Sequence, residues 1–165
     1  MSMSLRLRDA ARVGDLPAVE DILLSAEAFT PGEIDVAKEL VLEHAAKGTE
    51  SGYHFLLADA DGRTQGYICY GPDACSDGGA YHLYWIAVHA GARGLGLARA
   101  LLDAARDRAL AAGGRAMYAE TSSTPPYADA RGFYEHTGFF LEARVRDFYK
   151  PGDDKLIYTL KLSKT

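Results

Sequence analysis

The chain has 165 residues, a formal net charge of −5, 48% hydrophobic residues and 25% charged residues. That length suits one domain with one adequate core, and the expectation is a single domain over residues 1–165. The acidic balance argues against nucleic acid as the main partner. No apolar run approaches the roughly 20 residues of a membrane span, and the start, MSMSLRLRD, has no hydrophobic signal segment. Two cysteines, Cys69 and Cys75, lack metal-like spacing. The chain therefore reads as cytoplasmic, with no membrane partner and no zinc or iron site.

Leu5–Arg8 alternates as a short strand. Asp15-Leu16-Pro17 opens a helix that runs to about Ala28. Phe29-Thr30-Pro31-Gly32 breaks it, and Glu33–Lys47 is a second helix with Ile34, Ala37, Leu40, Val41 and Ala45 on one face. Tyr53–Asp59 and Gln65–Tyr70 are strands joined by an Asp61-Gly62 hairpin turn. Gly71–Gly79 is a loop. Tyr81–Val88 is a strand rich in aromatic and β-branched residues. His89–Gly96 is a glycine-rich loop, and Leu97–Ala112 is a helix that stops at Gly113-Gly114. Arg99 and Asp103 are four apart on its outer face and can pair. Arg115–Thr121 is a strand, Tyr127–His136 a short helix, and Phe139–Phe148 with Lys155–Leu162 a final hairpin across 151–154.

The stretch 81–112 organises the rest. A helix N-terminus offers unpaired N–H groups and partial positive charge. Gly94 and Gly96 let a ligand approach that backbone closely, and Arg93 adds a cation that can fork onto phosphate oxygens. The product is a phosphate cradle. A dinucleotide-binding turn is the rival, because Glu120 closes the next strand as a ribose acid would. Against it, the third glycine position is Arg99, the loop from Val88 to Gly94 is long, and repeated βαβ units are missing. Charge follows the cradle. Residues 1–82 hold 6 Lys+Arg and 14 Asp+Glu, a balance of −8, whereas residues 83–165 hold 12 and 9, a balance of +3.

Arg93-Gly94-Leu95-Gly96-Leu97-Ala98 matches R/Q-x-x-G-x-G/A, and Ala130–Phe139 matches A-x-x-[FL]-Y-x-x-x-G-F. Together, in this order, they resemble the GCN5-related N-acetyltransferase (GNAT) family along nearly the whole chain. The resemblance implies an α/β (α+β) fold: a mixed sheet of about seven strands, four helices, and a splay between strands 4 and 5. It implies acetyl-CoA as co-substrate, with no metal. Backbone groups of Ile86, Ala87 and Val88, where the family's strand is bulged, would hold the pantetheine arm and thioester carbonyl. Residues Arg93 to Ala98 would hold the pyrophosphate. Tyr127 stands where the family has an Asn on the CoA arm, and Arg131 would lie beside the cofactor. The family's general acid falls on Tyr134, whose phenol is protonated at neutral pH.

Two residues are candidates for the base. His82 lies on the central strand, and period-two alternation groups it with Tyr84, Ile86 and Val88. Glu120 ends the fifth strand and can bind the substrate ammonium or accept its proton. Family members also work with ordered water alone. Tyr84 and Trp85 join Glu120 as substrate residues. Tyr70, Tyr81, Arg144, Arg146, Asp147, Phe148 and Tyr149 lie in segments that shape the acceptor pocket in the family. The resulting expectation is a small cationic amine, an amino acid or polyamine-like compound. A protein or peptide amine and a non-catalytic acyl-CoA-binding module are the alternatives, and a homodimer is compatible with the family.

Overall fold

The structure, a computed structural model, describes residues 2–163. Its strands are β1 (Leu5–Arg8), β2 (His54–Ala60), β3 (Arg63–Pro72), β4 (Ala80–Val88), β5 (Ala116–Ser122), β6 (Phe140–Lys150) and β7 (Asp153–Lys161). They form one mixed sheet in the order β1-β2-β3-β4-β5-β7-β6. Its helices are α1 (Leu16–Ser25), α2 (Pro31–Lys47), α3 (Leu97–Ala111) and α4 (Ala128–His136). No described helix is long and apolar enough to cross a membrane.

Alternation on β2 shows how one sheet serves two cores. Phe55 and Leu57 face α1 and α2, where Val19, Ile22, Leu23, Ile34 and Val41 are buried. Leu56 and Ala58 face α3, against Leu101, Leu102 and Ala105. Each fully buried leucine contributes about 1.5–3 kcal/mol relative to leaving it in water. β2 and β3 are joined by Asp61 (φ 51°) and Gly62 (φ 81°), the paired positive dihedrals of a two-residue hairpin turn.

Among the described strands only β4 and β5 are parallel, and α3 makes the crossover between them. Their pairing runs from Ala80/Ala116 to Leu83/Ala119 and stops there. Beyond that point Trp85–Val88 pair with β3 alone, while Glu120–Ser122 stay with β7. This is the splay expected of the fold.

Several boundaries differ from expectation. The first helix ends at Ser25 rather than near Ala28. Pro31-Gly32 is not a break but the first turn of α2: Thr30 is the N-cap, and its capping box with Glu33 satisfies two helix-end donors. Tyr127 precedes α4 instead of opening it, and β7 begins at Asp153, two residues early.

The largest correction concerns β4. Cys69 pairs with Trp85 but Tyr70 pairs with Leu83, so Tyr84 is one extra residue. The strand is bulged at Tyr84, ahead of the expected Ile86–Val88. A bulge resets alternation. Ile86 packs with Tyr81 and Leu83 on the α3 side, and Trp85 and Ala87 pack on the α1–α2 side. His82 stacks obliquely on Tyr84 with ring centroids 5.4 Å apart. The grouping of His82 with Ile86 and Val88 therefore fails.

Candidate active site

Three cavities follow one another along the splay. The first is bounded by the glycine-rich loop: Val88, Arg93, Gly94, Gly96, Leu97, Ala98, Arg99, Phe133 and His136 line a space of about 320 Å³. Gly94 (φ +78°) and Gly96 (φ +77°) adopt left-handed dihedrals, and a Cβ on either would meet only open space. Gly96 is the N-cap of α3, so the first amides of that helix point outward without partners. The amides of Gly94, Leu95 and Gly96 donate to no described backbone atom. Arg93, Arg99 and His136 line this end, and no carboxylate among the described residues does.

The second cavity, about 360 Å³, runs between β4 and α4 and is lined by Ile86, Ala87, Val88, Arg93, Ala98, Tyr127, Phe133 and Tyr134 among others. The third, about 290 Å³, holds Phe29, Glu33, Tyr84, Trp85, Glu120, Ser122, Tyr149 and Asp153. Phe29, Ile86, Tyr127, Ala130 and Tyr134 line both, and so form the neck between them. Among the described residues, the charged lining of the third chamber is three carboxylates, with no Lys or Arg.

Tyr134 is 6% exposed and packs against Phe133, Phe139 and Tyr158. Burial, with the Tyr158 phenol adding to it, raises its pKa well above the ordinary value. Its phenol therefore stays protonated throughout the physiological range. Tyr127 donates to Glu33 at 3.1 Å. Its phenol is pushed up to about 12, by burial first and then by the Glu33 charge. Tyr149 is likewise raised, by burial first and then by Glu120, Asp153 and Glu33.

Tyr149 reaches the chamber because β6 is irregular. Val145 pairs with Lys155 and Lys150 with Asp153, so three extra residues bulge out between them. Asp147 (φ 53°) tolerates the turn. Its carboxylate accepts from Gly152 N at 2.7 Å, and its own N–H donates to Asp154 at 2.9 Å.

Other candidates differ in their access to these cavities. His82 lines none of the three cavities. Its Nε2 bonds Asp73 at 2.5 Å, and this contact holds the Asp73 carboxyl below its usual range. Glu120 lines the chamber and pairs with Lys155 at 2.9 Å. The Lys155 ammonium also sits 3.9 Å from the Phe148 ring centroid. Arg131 donates to the carbonyls of Ser122 and Thr124, both at 2.8 Å, and clips the loop before α4. Leu95 is exposed beside the cradle. Tyr70 and Tyr81 stack within the α3-side core. Phe29, Glu33, Ser122 and Asp153 were not singled out from sequence. Only Glu33 left a trace there, the Thr30-x-x-Glu33 capping pattern.

A model of the acetyltransferase (GNAT) family matches residues 18–139. A GNAT-family protein from Desulfovibrio desulfuricans is 43% identical over 97% of this chain and 100% of its own, with a TM-score of 0.92. The chain belongs to the GNAT acetyltransferase family and is an acyltransferase. Its fold is also shared by yncA of Salmonella typhimurium, solved with its cofactor acetyl-CoA (22% identity, 100% of this chain and 96% of that one, TM-score 0.71). The ribosomal-protein-S18-alanine N-acetyltransferase of Escherichia coli shares it too (22% identity, 99% and 96% coverage, TM-score 0.73). A comparison with curated proteins gives no match.

Proposed function

We propose that the chain moves an acetyl group from acetyl-CoA to a primary amine of a small cationic molecule, an amino acid or polyamine-like compound. One observation carries the reading. A basic cavity and an acidic chamber lie at opposite ends of one channel, and the cavity between them meets the acidic chamber at a neck that holds a buried tyrosine. A phosphorylated ligand fits the basic end, and an ammonium fits the acidic, aromatic end.

The residues present suit acetyl-CoA. Unpartnered amides and Arg93 fit a pyrophosphate. The inner edge of β4, unpaired beyond Leu83, fits an extended amide-bearing arm that pairs as a strand would. Acetyl-CoA supplies an activated thioester acetyl when it is bound. Backbone amides on the unpaired edge of Ile86 to Val88 would orient that carbonyl and stabilise charge developing on its oxygen. The Tyr134 phenol would give its proton to the departing sulfur. The ammonium would shed one proton on the open side of the chamber, to Glu120 or to water; the neutral amine would then form the C–N bond as the C–S bond breaks, and its second proton would restore Tyr134. Similarity to yncA, which was solved with acetyl-CoA, supports the cofactor.

A second reading takes a peptide amine as acceptor. The −8 balance of residues 1–82 favours it, because a basic tail would be attracted there. Thermal shifts with acetyl-CoA, CoA and NADH come first, followed by free-thiol release across free amines and peptides. Stabilisation by acetyl-CoA but not NADH, with thiol release on free amines, is expected. Release on peptides alone would move the reading to the second acceptor class. Absence of any CoA shift would overturn both.

A further inference from the structure

The three carboxylates of the acceptor chamber are not equivalent. Glu120 is already paired with Lys155 at 2.9 Å. Glu33 accepts from Thr30 N at 2.7 Å through Oε2 and from Tyr127 at 3.1 Å through Oε1. Asp153 is 9% exposed. Its Oδ1 accepts from Ser122 Oγ at 2.5 Å, and its Oδ2 has no hydrogen-bond partner among the described residues. Ser122 also contacts Thr124 Oγ1 at 2.6 Å and accepts from Thr124 N at 3.0 Å. This relay fixes the Asp153 carboxylate without neutralising it. Lys155, two residues along the strand, is turned to Glu120 and the Phe148 ring. That oxygen is not sealed from solvent and is free to meet a ligand in the chamber.

Position decides what Asp153 is for. It lines the acceptor chamber but not the cavity on the cofactor side, whereas Tyr134 lines both. The amine that reacts must sit at the Tyr134 neck. The group within reach of Asp153 is therefore another part of the same acceptor. Tyr84, Trp85 and Tyr149 surround the space between them, which suits a cation held against ring faces.

We propose that Asp153, oriented by Ser122, holds a second positively charged group of the acceptor, so that the substrate class is a molecule with two cationic centres. This rests on the acetyl-transfer reading. A monoamine of equal length brings no second cation to Asp153 Oδ2 and forgoes that charge-assisted contact. A site built around a polar contact discriminates strongly against the analogue that lacks it.

The test compares 1,4-diaminobutane with 1-aminobutane, by thermal stabilisation of the CoA-saturated protein and by free-thiol release with acetyl-CoA. The diamine should stabilise and the monoamine should not, and any turnover should favour the diamine by about tenfold or more. Asp153→Asn should bring that preference close to unity while the CoA-induced shift persists, which reports an intact fold. Ser122→Ala keeps the charge but frees it, and should lower the preference a few-fold; this reading stands even where the Asn variant does not fold. Equal stabilisation by the two amines, none by either, or a preference unchanged in Asp153→Asn would overturn the proposal. Failure of acetyl-CoA to stabilise the unmodified protein would instead sink the acetyl-transfer reading.

Discussion

The Tyr127 hydroxyl donates to the Glu33 carboxylate at 3.1 Å, tying the loop before α4 to the first turn of α2 across the neck of the channel. Glu33 is thereby bonded both to its own helix cap and to the far wall. Tyr127→Phe removes one such bond while leaving the ring packed on Phe29. The expected cost is about 1 kcal/mol, and a Tm fall of about 2–4 °C. Acceptor KM should rise more than kcat falls. A variant with unaltered Tm and acceptor KM would remove this bond from the account of the neck.

Tyr134→Phe should leave acetyl-CoA affinity close to its original value and lower kcat by about 100-fold or more. The raised pKa keeps the phenol protonated to beyond its ordinary value near 10. Loss of activity through this group thus belongs above that pH, and the neutral range should show no such limb. A pH–rate profile of kcat for both proteins makes the comparison.

Arg93 makes no ion pair with any described residue and lines both the cradle and the neck cavity. Arg93→Ala should raise the KM for acetyl-CoA about tenfold, in line with loss of a charge-assisted hydrogen bond. It should also flatten the dependence of that KM on salt. Gly96→Ala acts differently, through the backbone. An alanine at φ +77° costs about 1–2 kcal/mol, visible as a lower Tm even without ligand.

Gly71 is a packing requirement in β3. A Cβ there would lie 1.9 Å from the Gly52 carbonyl oxygen, and backbone cannot swing aside as a flexible side chain can. Gly71→Ala should destabilise by about 1–3 kcal/mol or more. Denaturant unfolding gives the value, and a midpoint equal to that of the parent would refute the contact.

His54 has a lowered pKa, through burial first and then through His44 nearby. The folded state therefore binds a proton less readily than the unfolded chain, whose imidazole titrates near 6.5. Stability from this source is present above about pH 6.5 and is lost as pH falls through the lowered folded value. Tm measured from pH 7.5 down to 5 should decline, and His54→Gln should flatten the curve.

Local features were the legible ones. The left-handed dihedrals at Gly94 and Gly96 need only neighbouring residues, so the cradle could be read from six letters. The parallel crossover followed from a strand, a loop and a helix in succession. Tyr84 was different. Nothing in YHLYWIAV marks which residue is supernumerary, because the bulge is set by where β3 pairs. The acidic chamber was hidden for a related reason. Glu33, Glu120 and Asp153 come from α2, β5 and the start of β7, and only the topology brings them together. Asp153 read as a turn residue because its burial depends on Ser122, a strand away.

Where Leu83 and Ala119 part, the sheet acquires an edge in its own interior. Outer edges invite other strands, and proteins blunt them with charge or cover. This one is sheltered between α3 and α4 and bordered by apolar side chains, so on the proposed reading it would take a guest that carries its own amides. The two halves of the sheet then hold together in two ways: through four residue pairs at one end, and through whatever threads the seam at the other. Amide hydrogens of Trp85 to Val88 and Glu120 to Ser122 should exchange more slowly once acetyl-CoA is added. The ligand would serve as a missing strand, stitching the fold as well as feeding the reaction.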